Sequence, residues 1–126
     1  MNMNNYDKLI AVTAGDPAGI GPDICLELSN HSWSNKIIVL TDPSILKERA
    51  KNLKKNIKIT EWDPTKINTG RLSKNSLFVW PHYFKSQVLC GHPNSENSET
   101  VLSSLNSAIN GCKKKIFKGM VTAPVN

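Results

Sequence analysis

Residues 8–28, KLIAVTAGDPAGIGPDICLEL, constrain this chain more than any other stretch. Leu9 to Val12 is apolar without alternation, the pattern of a strand covered on both faces. It runs into a loop made almost wholly of Gly, Ala, Pro and Asp. Gly15, Gly19 and Gly21 permit positive φ and close approach of another group, while Pro17 and Pro22 restrict the backbone, so the loop is shaped rather than loose. Pro22 has no N–H and a φ suited to the first turn of a helix, and Asp23 puts negative charge at that helix's positive end. Strand, glycine-rich turn and helix together form a site-building unit of α/β enzymes.

Two readings of the turn stay open on spacing alone. Its N–H groups and the helix start could face a ligand phosphate, or the small residues could serve only a tight connection. The order G-x-x-x-G-x-G is not the dinucleotide fingerprint, and no Gly-Lys-Ser/Thr follows to make a phosphate loop.

GDPAGIGPD resembles the N-terminal signature of the 4-hydroxythreonine-4-phosphate dehydrogenase family of vitamin B6 (pyridoxine, pyridoxal phosphate) biosynthesis. GHPNSENSETVLSSLNSAINGC is similar to that family's Pro-x-x-Glu-Asn segment and following helix, and MVTAPVN to its Thr-Gly-Pro-Val strand end, with Ala123 in place of the usual Gly. The first string also echoes the Gly-Asp-Gly-Ile-Gly-Pro-Glu signature of isocitrate and isopropylmalate dehydrogenases. Three motifs in register across nearly the whole chain carry the resemblance.

Downstream, the pattern continues as βαβα. Ile24, Cys25 and Leu28 are expected to share the packed face of the first helix, which Ser29-Asn30-His31 ends. Ile37 to Leu40 is a second buried strand, Asp42-Pro43 caps and starts a helix, and Ile45, Leu46, Ala50 and Leu53 form its apolar stripe. Ile57 to Trp62 alternates and reads as a strand near a sheet edge; Asp63 to Asn75 reads as loop; Leu77 to Trp80 is a further strand. A helix is expected to begin within Asn94–Glu99, with Val101, Leu102, Leu105, Ala108, Ile109 and Cys112 on one face, Glu96 and Glu99 in its first turn and Lys113 to Lys115 at its end. Met120 to Asn126 is a strand running into a turn. The expected fold class is α/β, a parallel or mixed twisted sheet flanked by helices with right-handed crossovers, and the resemblance implies the isocitrate/isopropylmalate dehydrogenase-like version of it. The last strand has no covering helix after it, and family members are longer. Residues 1–126 therefore read as the N-terminal part, or fragment, of a two-domain dehydrogenase.

The net charge of +6 and a pI near 9.4 raise the question of polyanions. Many of the lysines fall in Lys47–Lys58 and Lys113–Lys118, among apolar rather than stacking residues, which fits solvated helix faces; nucleic acid is not expected. No apolar run approaches the ~20 residues of a membrane span and no apolar signal core opens the chain, so a cytoplasmic protein without membrane contact is expected. Cys25, Cys90 and Cys112 are widely spaced and read as reduced packing residues.

The resemblance implies NAD-dependent oxidation of 4-phosphooxy-L-threonine at its secondary alcohol, followed by loss of carbon dioxide to give 3-amino-2-oxopropyl phosphate. It also implies a homodimer and a divalent metal ion (Zn, Mg or Co) whose histidine ligands match no residue of this chain. His31 reads as an exposed helix-end residue and His92 as a turn residue; His82, at a strand end, is better placed for a site but matches no family ligand. No catalytic, cofactor-binding or metal-ligating residue is assigned. Gly15, Asp16, Gly19 and Gly21 in the first loop, with Thr122 and Asn126 at the last strand, are the candidate cleft-lining residues, since a parallel sheet would put both segments on one carboxyl edge. Asp16 could equally serve the N–H groups of its own loop. The rival readings are a related phosphorylated threonate or erythronate dehydrogenase, a non-catalytic anion-binding fragment, and a decayed gene fragment that does not fold stably.

Overall fold

The computed structural model describes residues 9–31, 36–65 and 74–124. Among these residues five strands form one parallel sheet in the order β3-β4-β2-β1-β5: β1 (Leu9–Thr13), β2 (Lys36–Thr41), β3 (Lys58–Glu61), β4 (Ser76–Pro81) and β5 (Gly119–Thr122). Among the described residues three helices cover it: α1 (Gly21–Glu27) and α2 (Pro43–Asn52) on one face, α3 (Ser98–Lys113) on the other.

The apolar runs lack alternation because the interior strands are packed on both sides. Leu9 and Ala11 meet Ile38, Leu40 and Phe78 on the α3 face, together with Trp62, Ala108 and Phe117. Val12, Val39, Leu77 and Val79 point the other way, onto Cys25, Leu26, Leu46 and Ala50. β3, whose residues alternate, is an edge strand with Lys58 and Glu61 exposed. β5 is the opposite edge.

Two of the helices, α1 and α3, sit differently on the sheet than their apolar residues suggest. In α1 the packed positions are Pro22, Cys25, Leu26 and, one turn on, Ser29, while Ile24 is 47% exposed. Gly21 lies so close to the carbonyl of Ala14 that a Cβ there would stand 1.8 Å from its oxygen. In α2 the side chain of Asp42 accepts from the Ser44 N–H as the capping pattern predicts, and Ile45, Leu46 and Ala50 are buried. Leu53 is exposed because the helix has already ended at Asn52 and the chain turns through positive φ at Lys54.

A single 3-10 turn, Ser95–Asn97, precedes α3. The buried positions of α3 are Thr100, Val101, Ser104, Ala108 and Gly111, whereas Leu102 and Ile109 are 59% and 41% exposed. Small residues let the helix lie close to the sheet, and a Cβ at Gly111 would come within 2.4 Å of the Phe117 ring. Closeness, rather than apolar side-chain size, decides which stripe faces inward. The loop read over Asp63–Asn75 lies partly outside the described residues.

Candidate functional site

Parallel pairing puts the loops that follow β1, β2, β4 and β5 on one rim. Thr13 is in register with Thr122, and the Ala123 N–H donates to the Thr13 carbonyl at 2.9 Å. The glycine loop and the end of β5 are therefore neighbours. Asn126 lies outside the described residues, so its place on this rim is not defined.

The three glycines of the loop do different things. Gly15 has φ +74°, and a Cβ there would stand 2.3 Å from the Pro124 carbonyl oxygen. A Cβ at Gly21 would stand 1.8 Å from the carbonyl oxygen of Ala14 and 3.2 Å from the Ala123 methyl. Both positions are buried and shape the rim by close backbone approach. Gly19 has neither positive φ nor a close neighbour, since its nearest contact would be an ordinary 3.6 Å.

Asp16 turns back on its own loop: its carboxylate accepts the Ala18 N–H at 2.9 Å and its carbonyl accepts the Gly19 N–H at 3.1 Å. It also borders a groove of about 480 Å³ with Pro17, reaching across to Pro93, Asn94, Ser98 and Leu102 at the start of α3. Thr122 is exposed at the sheet edge, near the loop but not on this groove. The groove's far wall is braced by Asn97, only 3% exposed, whose side chain accepts the Ser86 N–H at 3.0 Å. From the other direction the Gly91 N–H donates to the Ala18 carbonyl at 2.8 Å, tying the 89–92 turn to the glycine loop.

Arg49 belongs to this arrangement and has no chemical motif to announce it. It is 6% exposed and donates to the carbonyls of Pro17 and Gly19 and to the Asp23 carboxylate. One signal was present in the sequence: position 49 follows Ile45 by four and Leu46 by three, which puts an arginine on a buried stripe.

The histidines are engaged structurally. His82 Nδ1 donates to the Trp80 carbonyl at 2.9 Å, leaving Nε2 to accept from the Ser107 hydroxyl at 2.9 Å, an arrangement that suits the neutral ring. Burial holds its pKa below the ordinary value, and the Trp80 carbonyl only partly offsets this. His92 accepts a place in the turn through its N–H to Leu89, and His31 is exposed at the end of the turn after α1. Among the described residues no three His, Cys, Asp or Glu side chains converge to hold a metal ion. These residues do not fit a metal, and no reaction step runs through one held by them. Cys25 is equally unsuited to chemistry, because burial pushes its thiol up to about 12. The hydroxyls of Thr13 and Thr41, at the carboxyl ends of β1 and β2, are buried without a hydrogen-bond partner.

Residues 32–126 match the family model described as pyridoxal phosphate biosynthetic protein PdxA. The chain belongs to the PdxA family. Curated relatives extend the likeness over the glycine loop: the 4-hydroxythreonine-4-phosphate dehydrogenase of Vibrio vulnificus (strain YJ016) is 36% identical over 119 residues, covering 94% of this chain and 36% of the relative. The enzyme of that name from Pseudomonas syringae pv. tomato is 35% identical over 119 residues, with the same coverage of each. Solved structures agree on the PdxA fold. A 4-hydroxythreonine-4-phosphate dehydrogenase from Burkholderia phymatum superposes with a TM-score of 0.83 at 17% identity, over 94% of this chain and 37% of that one. One from Klebsiella pneumoniae gives 0.78 at 23% identity, over 94% and 38%. This PdxA chain thus spans a little over a third of the length of the relatives it matches.

Proposed function

We propose that residues 1–126 are the N-terminal part of a two-domain, NAD-dependent 4-hydroxythreonine-4-phosphate dehydrogenase. In that reading the secondary alcohol of 4-phosphooxy-L-threonine gives its hydride to NAD and its proton to solvent or a base. The β-keto acid then loses carbon dioxide to leave 3-amino-2-oxopropyl phosphate. In that reading the ligands of the polarising metal lie outside these residues, the cleft closes over substrate and nicotinamide, and the whole enzyme is a cytoplasmic homodimer. The segment supplies walls of the cleft, with Gly15, Asp16, Gly19, Gly21 and Thr122 as its lining residues.

The observation that carries this reading is the juxtaposition of the glycine loop with the end of β5 on the carboxyl rim of a parallel sheet, where open α/β folds hold their ligands. A chimera tests it. Residues 1–126 replace the matching segment of the Vibrio vulnificus enzyme, and NADH formation is followed with 4-phosphooxy-L-threonine. Turnover with release of carbon dioxide is expected. A folded, dimeric chimera that binds NAD but oxidises phosphorylated threonate or erythronate instead would move the assignment to that related substrate, and one inert to all three would overturn it.

A further inference from the structure

We infer that Arg49 is the positioning residue of the glycine loop, a guanidinium fork that fixes the loop from the α2 side so that its opposite side is held out as a rigid wall of the groove. The five consecutive carbonyls from Asp16 to Ile20 all have donors. Asp16 is served by the Gly19 N–H, Ala18 by Gly91, and Ile20 by Ile24 inside the helix start. The remaining two belong to Arg49: Nη2 donates to Pro17 at 2.6 Å and Nη1 to Gly19 at 3.1 Å. Nη1 also meets the Asp23 carboxylate at 2.9 Å, so the same side chain ties the loop to the helix it starts.

The chemistry of the fork is what makes this more than burial. Two carbonyls two residues apart are reached by two different nitrogens of one planar group, a span that the single ammonium of lysine does not offer. α2 packs with α1 on one face of the sheet, while the groove is bounded by α3 on the other. Arg49 therefore grips the loop from behind. Pro17 shows both sides of the arrangement, since its carbonyl is held by Arg49 while the residue itself borders the groove with Asp16. That the wall serves substrate binding rests on the proposed dehydrogenase function; that Arg49 sets the wall does not.

The test therefore uses the 126-residue chain without substrate. Arg49→Met keeps an apolar stem of similar reach, and Arg49→Lys keeps the charge. Amide hydrogen exchange is read at Ala18, Gly19 and Gly91, which report the loop, and at Val39 and Val79, which report the central strands. In Arg49→Met the loop amides should exchange faster by about tenfold or more relative to the strand amides, and Arg49→Lys should recover only part of that protection. Equal acceleration of loop and strand amides would make Arg49 an ordinary stabilising residue and overturn the inference. So would wild-type loop exchange in Arg49→Lys, because charge alone would then suffice. Failure of the chimera to turn over substrate, with the exchange pattern intact, would remove the enzymatic reading and leave the positioning role standing.

Discussion

Residue by residue, the glycine loop separates into positions that cannot change and one that can. Alanine at Gly15 needs a positive φ and collides with the Pro124 carbonyl, and alanine at Gly21 collides with that of Ala14. Each should lower stability by more than about 2 kcal/mol in a denaturant melt, whereas Gly19→Ala should stay within about 1 kcal/mol. The glycine pattern alone could not make this distinction, because it depends on which carbonyls return to the loop from elsewhere in the fold. Asp16 is the complementary case. Its carboxylate organises its own loop and borders the groove, so in the chimera Asp16→Ala should lower activity more than it lowers the melting temperature; an equal loss of both would assign it to the loop alone. His82 gives a pH signature. Its pKa is lowered by burial from an ordinary 6.5, so between the folded and unfolded values the unfolded chain binds more protons and stability rises with pH. The contribution is complete above about pH 6.5 and is lost as pH falls through that window. His82→Gln should flatten the corresponding part of the stability–pH curve, which thermal melts at stepped pH would detect.

At the level of elements, what the sequence made legible was existence, order and type; what it left out was rotation. The Asp42-Pro43 start of α2 was readable because a cap is a local device: one carboxylate, one N–H two residues on, and a proline where no donor is needed. Asp42 does more than the local pattern says, since its second oxygen accepts the Phe84 N–H at 3.2 Å and ties the loop after β4 to the start of α2. Asp42→Ala should therefore cost about 1 kcal/mol or more and should also speed exchange of the Phe84 amide; an unchanged Phe84 rate would limit the residue to capping. Helix rotation is not readable from apolar character alone, because close backbone approach competes with side-chain size for the inner face. In α3 the inner face keeps Val101 and Ala108 of the expected stripe but otherwise consists of Thr100, Ser104 and Gly111, small or polar residues that let the backbone come near Phe117, and Leu102 and Ile109 are left outward. Arg49 escaped the same reasoning from the other side, as a charged residue on an inner stripe whose partners lie some thirty residues earlier in the chain.

Across the whole molecule, the sheet is a shared wall between two apolar clusters, and this fixes how the chain must come apart. Val39 belongs to the α1–α2 cluster, while its neighbours Ile38 and Leu40 belong to the α3 cluster. Neither cluster can lose its packing without exposing the strand that carries the other, so the two faces should unfold as one cooperative unit. Leu46 is fully buried among α1–α2 residues and is remote from α3 in the layer order. Leu46→Ala should destabilise the fold by about 2 to 5 kcal/mol. If the faces are coupled, the amides of residues buried on the far side, Ala108 in α3 and Phe78 in β4, should exchange faster by about thirtyfold or more, the factor that 2 kcal/mol represents. Native-state exchange would show this directly. Wild-type protection at Ala108 in a Leu46→Ala chain would mean that α3 and its half of the core hold without α1 and α2, and the rim carrying Arg49, the glycine loop and the groove would then be a junction between two separable halves rather than the edge of one.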